Sequence, residues 1–242
     1  MKQRVVVTGL GAITPLGLDV PSTWQGLIEG RSGAGRITLF DPSELKMQIA
    51  AEVKNYDPNN YFPAKEVRRL DRYSQFAIIA ADEALKDSGL RLPPDNADRV
   101  GVIAGTGIGG IGTLIHEYDV MLEKGPNRVS PFFVPMMLAD TAPGLIAIRH
   151  GLKGPNMVIT SACASSANAI GEAMRMIRDG VADAVVVGGS EAGILPLAVA
   201  GFSVMQAITA RNDDPEHASR PFDAHRDGFL PAEGGAFIII EK

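Results

Sequence analysis

The sequence predicts an α/β fold, a mostly parallel five-stranded sheet with helices on both faces, from three observations. Five short runs rich in valine and isoleucine, at residues 4–7, 99–104, 156–160, 184–187 and 236–240, are apolar at consecutive positions, the pattern of strands buried on both faces. The stretches between them repeat apolar residues at helical spacing. The two kinds alternate, which builds a parallel sheet, because each return to the same end needs a crossover.

In chain order, residues 21–29 start with helix-entry signals, and residues 72–86 place Phe76, Ile79, Ala80 and Leu85 on or near one helical face. Residues 138–149 and 164–178 are also helical by pattern. Residues 125–135, GPNRVSPFFVP, are irregular and set Phe132 and Phe133 between prolines. Such a stretch is either a loop whose aromatics cover the core or an arm that reaches a substrate pocket or a partner subunit. No short-period repeat or low-complexity tract divides the chain, so residues 1–242 read as one domain.

Composition narrows the function. With 45% hydrophobic and 21% charged residues, the 242-residue chain has the make-up of a soluble globular protein with a substantial core. A net charge of -5 gives no excess of basic groups for a phosphate backbone or an anionic bilayer, so neither nucleic acid nor membrane is an expected partner. The N-terminal MKQRVVVTGLGAITPLG interrupts its apolar character too early for a signal peptide, and a cytoplasmic location is expected. The histidines, His116, His150, His217 and His225, have no zinc-motif spacing, and neither metal nor cofactor is expected. His225 falls in RPFDAHRDGF, where Asp223, Arg226 and Asp227 read as an ion-pair network that fixes a loop.

Two glycine-rich turns resemble phosphate cradles. GTGIGG sets Gly105, Gly107 and Gly110 in GxGxxG spacing, but the second strand with its acidic end, required some 20 residues on for a dinucleotide, is replaced by the loop near Arg128. VTGLGAITPLG has Gly9 and Gly11 but Thr14 in the third position. Nucleotide binding is set aside.

The sole cysteine, Cys163, cannot form an internal disulfide, so it is either an inert buried thiol or a reactive one. Its surroundings, NMVITSACASSANAIGEAMRMIRDG, run a strand into the cysteine and begin a helix of small residues directly after it. A thiol there sits at the positive end of a helix dipole, which favours the thiolate nucleophile. Ser161, Ala162, Ala164, Ser165 and Ser166 leave room for a substrate carbonyl, a nucleophile-elbow layout with cysteine in place of serine.

Taken in register, VTGLGAITPLG, GTGIGG, GPNRVSPFFVPMMLAD, TSACASS, VVVGGSE and SRPFDAHRDGF are similar to the motifs of the type II beta-ketoacyl-acyl-carrier-protein synthases over essentially the whole chain. The resemblance implies the N-terminal half of a thiolase-like fold and a homodimer joined along the strand before the cysteine. It implies two carrier-protein partners, acyl- and malonyl-loaded, and a decarboxylative Claisen condensation in which Cys163 accepts the acyl group and its own amide is one oxyanion donor. It further implies that Ile108 and Phe202 line the acyl pocket and that Phe133 approaches the partner's pocket. The family's two catalytic histidines, a lysine and a second oxyanion amide belong to a C-terminal half outside these 242 residues. Asp140, Pro143, Ala210 and LPAEGGAF (residues 230–237) depart from the family pattern. Two other readings stand beside this one: a non-condensing ketosynthase-like partner, which would be expected to lack Cys163, and a module that docks acyl-carrier protein without chemistry.

Overall fold

The computed structural model describes residues 3–242. In order the chain forms β1 (Val6–Ile13), α1 (Val20–Ile28), two short strands β2 (Gly35–Arg36) and β3 (Ile49–Ala50), α2 (Ala64–Val67), α3 (Arg72–Ser88), β4 (Val100–Gly105), α4 (Ile111–Lys124), α5 (Phe133–Met137), α6 (Thr141–His150), β5 (Asn156–Ile159), α7 (Ser165–Arg178), β6 (Ala184–Glu191), α8 (Pro196–Val204) and β7 (Gly234–Glu241). The main sheet has five strands in the order β1-β7-β6-β4-β5. Strand β7 is antiparallel to both neighbours, while β6, β4 and β5 are mutually parallel, so four of the five strands run the same way.

Both faces of the sheet are covered. On one, α3 and α6 bring Phe76, Ala80, Ala84 and Ile146 against Ile13, Val102, Val186 and Phe237. On the other, α7 sets Ala169, Ala173 and Ile177 against Ile103, Val185, Val187 and Ile240. Neighbours such as Val185 and Val186 thus enter different cores, because successive strand residues point to opposite faces. That accounts for consecutive valines where a one-sided strand would alternate. Helix α3 is buried at every residue from Tyr73 to Ala81, more than the one-faced pattern implied, because it lies between the sheet and α6.

Two helices, α1 and α3, start with side-chain caps. Asp19 accepts a hydrogen bond from the Ser22 amide at 2.8 Å to open α1. Asp71 caps α3 through the Tyr73 amide at 3.1 Å and also accepts from the Thr113 amide, at 2.9 Å, in the first turn of α4. One buried carboxylate therefore ties the starts of two helices together.

Strand β1 begins later than residues 4–7 suggest and continues through Gly9 and Gly11. A Cβ on Gly9 would overlap the Ala84 carbonyl oxygen, and one on Gly11 that of Ala80. These glycines seat α3 against β1, which gives the VTGLGA spacing a packing role. Gly11→Ala is expected to destabilise the fold by about 1–3 kcal/mol, the usual cost of overpacking. Urea unfolding measures it, and an unchanged midpoint would show that α3 can retreat.

Candidate active site

The C-terminal ends of β4, β5 and β6, the end at which parallel α/β sheets present ligand sites, lie side by side, with Gly105 paired to both Ile159 and Gly189. Three segments leave from there: the GTGIGG turn after β4, the Cys163 turn after β5, and Glu191 at the end of β6.

Between β5 and α7 the chain reverses over Ser161–Ala164, with Ala162 at φ 52°, a left-handed conformation that costs a side-chain-bearing residue about 1–2 kcal/mol. The turn is held by its own serines. Ser165 Oγ accepts from the Ser161 amide at 2.9 Å and donates to the Ala162 carbonyl at 2.6 Å, and Asn168 Nδ2 donates to Ser161 Oγ at 2.7 Å. Ser161 and Ser165, read from sequence as spacers, are braces, and Asn168 is a third that sequence reasoning missed.

The first turn of α7 rests on glycines. A Cβ on Gly105 would come within 2.5 Å of the Ser166 amide nitrogen, and one on Gly189 would overlap Ser166 Oγ. The first glycine of GTGIGG and the second of VVVGGSE thus let α7 press onto the strand ends. Cys163 stands on top, exposed, beside exposed Ala162, Ala164 and Ala167. Within these residues the thiol is therefore not buried. What the arrangement can do chemically is offer a single accessible sulfur, on a rigid turn with small neighbours, to a carbonyl arriving from solvent.

Ile108 lies at the tip of the GTGIGG turn and is 52% exposed. The turn abuts α5, whose Met137 carbonyl accepts from the Gly110 amide at 3.1 Å, so the segment beginning with Phe133 packs against the loop that carries Ile108. Residues 125–135 are less irregular than expected, since their end enters α5. Phe132 lies under the Arg69 guanidinium, 4.3 Å from ring centre to Cζ. Phe202 is on α8, edge-on to Phe229 at 5.4 Å, among exposed Leu197, Val204 and Met205. Cys163, Ile108 and α5 are therefore gathered at one end of the sheet, while Phe202 faces an open apolar surface.

A cavity of about 410 Å³ lies between α4, α5 and the start of α8, with Thr113, His116, Met136 and Leu195 in its wall, and none of Cys163, Ile108, Phe133 and Phe202 lines it. Glu191 went unnoticed as a site residue. Its Oε2 accepts from the Gly107 amide at 2.5 Å and from Thr106 Oγ1 at 3.2 Å, and burial pushes its carboxyl up from the usual range, with the Gly107 amide pulling it back. The signal was the acidic residue closing VVVGGSE just where a buried strand ends.

The expected ion-pair network around His225 takes another form. Asp227 pairs with Arg211 at 3.3 Å, on the segment after α8, while within the loop Asp223 accepts from the His225 amide at 2.7 Å and Arg226 donates to the Asp223 carbonyl. Among the described residues no group of three or more His, Cys, Asp or Glu side chains is arranged to hold a metal, and no helix is long and apolar enough to cross a membrane.

Known proteins match this geometry and sequence together. The 3-oxoacyl-[acyl-carrier-protein] synthase 2 of Synechocystis sp. is 50% identical over 241 residues, covering all of this chain and 58% of the relative, so the chain spans little more than half of that protein's length. The crystal structure of a beta-ketoacyl synthase from Burkholderia phymatum superposes with a TM-score of 0.87 at 33% identity, over 100% of this chain and 59% of the other. A type II PKS acyl-carrier protein in complex with its ketosynthase bound to the hexaketide gives 0.84 at 29% identity, with the same coverage. The fold is thus the thiolase-like one of the ketosynthases. The family described as beta-ketoacyl synthase, N-terminal domain, matches residues 2–242, and with the cysteine elbow, its glycine seat and the relatives all in agreement, the chain belongs to that family.

Proposed function

We propose that this chain supplies the acyl-accepting half of a 3-oxoacyl-[acyl-carrier-protein] synthase in fatty-acid elongation. The observation that carries this is the braced turn that presents the sole thiol, exposed, between β5 and α7. The Cys163 thiolate attacks the thioester carbonyl of an acyl-carrier protein, the acyl group moves to sulfur, and the carrier leaves as a thiol. Malonyl-carrier protein then loses carbon dioxide, and the carbanion so formed attacks the Cys163 thioester and expels the thiolate. The amide of Cys163 is suited to the developing oxyanion, since those of Ser161, Ala164 and Ser165 are spent within the turn.

The partners are accordingly acyl- and malonyl-loaded carrier proteins and a second copy of the chain. A homodimer is favoured by β5, which pairs with β4 on one side only and is otherwise the sheet's free edge. A cytoplasmic setting suits a mechanism that needs the thiol kept reduced. Incubation with acyl-carrier protein followed by intact-mass measurement tests the reading. An acyl adduct is expected, and binding without an adduct would favour a docking module instead.

In the same reading Ile108 limits acyl length, Phe202 lines the acyl pocket and Phe133 belongs to the wall offered to the partner subunit. Ile108→Phe is expected to spare adduct formation from short acyl donors and to block long ones. Equal loss at all lengths would mark a packing defect, for which overpacking costs of about 1–3 kcal/mol are typical.

A further inference from the structure

We propose that Glu191 is the positioning residue for the GTGIGG turn, its carboxylate acting as the internal anion around which residues 106–109 fold and which thereby sets where Ile108 stands. The carboxylate is delivered by the rigid end of β6 and accepts from the Gly107 amide at 2.5 Å and from Thr106 Oγ1 at 3.2 Å. The amides of Ile108 and Gly109 also face it, short of full hydrogen-bond geometry. Thr106 Oγ1 in turn accepts from the Gly109 amide at 3.2 Å. Successive backbone amides curved around an anion form a nest, the arrangement that holds phosphate in nucleotide-binding loops. Here the anion comes from the protein itself, which accounts for a GxGxxG turn without a nucleotide fold around it. A Cβ on Gly107 would stand 2.9 Å from Oε2, so the turn fits closely around the carboxylate.

A further detail separates positioning from simple bracing. Glu191 Oε1 is buried with no hydrogen-bond partner among the described residues. An unpaired buried oxygen is unfavourable, and a neutral side chain of the same length would avoid leaving a charge there. The carboxylate draws the Gly107 amide and the Thr106 hydroxyl toward one point, Thr106 holds the Gly109 amide in turn, and together these fix the tip at Ile108, between the two glycines Gly107 and Gly109. This inference rests on the proposed acyl transfer only in assigning Ile108 to the acyl pocket.

The test uses Glu191→Ala and the near-isosteric Glu191→Gln, each read in two ways. Hydrogen exchange of a peptide spanning residues 104–112 reports the turn without reference to activity, and the rates of Cys163 adduct formation from short and long acyl-carrier thioesters report selection. Glu191→Ala is expected to speed exchange in the turn and to shift the long-to-short rate ratio about 10-fold toward long donors, the weight of one charge-assisted hydrogen bond. Glu191→Gln, which keeps one acceptor, should recover part of both. Unchanged exchange, or faster exchange with an unchanged ratio, overturns the inference while leaving acyl transfer intact. Absence of any adduct on the unsubstituted chain overturns the acyl-acceptor reading itself, and the length-selecting role of Glu191 with it.

Discussion

Cys163→Ala is expected to abolish covalent acyl capture altogether. Cys163 is the sole cysteine, so no second thiol can take over, and the outcome is all or none by mass. Loss of a nucleophile that works as part of a catalytic unit has lowered turnover by up to about 10⁶-fold in a serine protease. Serine at this position is a poorer acceptor still lacking a base, since a hydroxyl is far less ionised than a thiol at neutral pH. The substitution should leave the fold alone, because the side chain is exposed and the turn is held by Ser161, Ser165 and Asn168 instead. Surface changes of this kind stay within about 0.5 kcal/mol. Intact mass after incubation with acyl-carrier protein, paired with a urea midpoint, separates chemistry from folding. Persistent acylation of the alanine variant would move the acceptor elsewhere and remove the basis of the proposed function.

Much of this was readable before the fold was known, and the failures have physical causes. The strands around Val102 and Val186 announced themselves because both faces are buried and every position is apolar. The glycine-rich ends of β1 and β6 did not, since glycine has little strand preference and its reason for being there is the approach of α3 or α7 from elsewhere in the chain. Helix α8, PLAVAGFSV, is apolar around most of its circumference and lacks the periodicity that identifies a surface helix. Helix α4 starts without a side-chain cap of its own, its first turn being tied by Asp71 from the start of α3. At the site, the strand, cysteine and helix are contiguous, and the elbow could be read directly. The hold of Glu191 on Gly107 spans 84 residues and exists only once β4 and β6 pair.

The 242 residues tested alone are expected to capture acyl groups yet form no beta-ketoacyl product from malonyl-carrier protein. Decarboxylation needs donors that stabilise the developing enolate, and losing even one oxyanion donor commonly slows an enzyme about 100- to 1000-fold. Two of the histidines present are paired, His150 with Asp82 at 2.7 Å and His217 with Asp214 at 2.8 Å, while His116 faces the cavity beside α4 and His225 sits in the loop held by Asp223. The same chain leaves apolar surface open. Beyond its sheet-facing side α7 exposes Ala167, Ile170 and Gly171, and Leu197, Val204, Met205 and Phe222 stand largely in solvent, Phe222 at 98%. Patches of this kind mark surfaces that another protein element covers. Self-association beyond a dimer along β5 is therefore expected in light scattering, relieved when a C-terminal half from a 3-oxoacyl-[acyl-carrier-protein] synthase 2 is supplied, with condensation appearing in the same sample. Steady condensation by a monodisperse 242-residue monomer would refute both expectations together: the enolate donors would have to lie within this chain, and its open apolar face would need no cover.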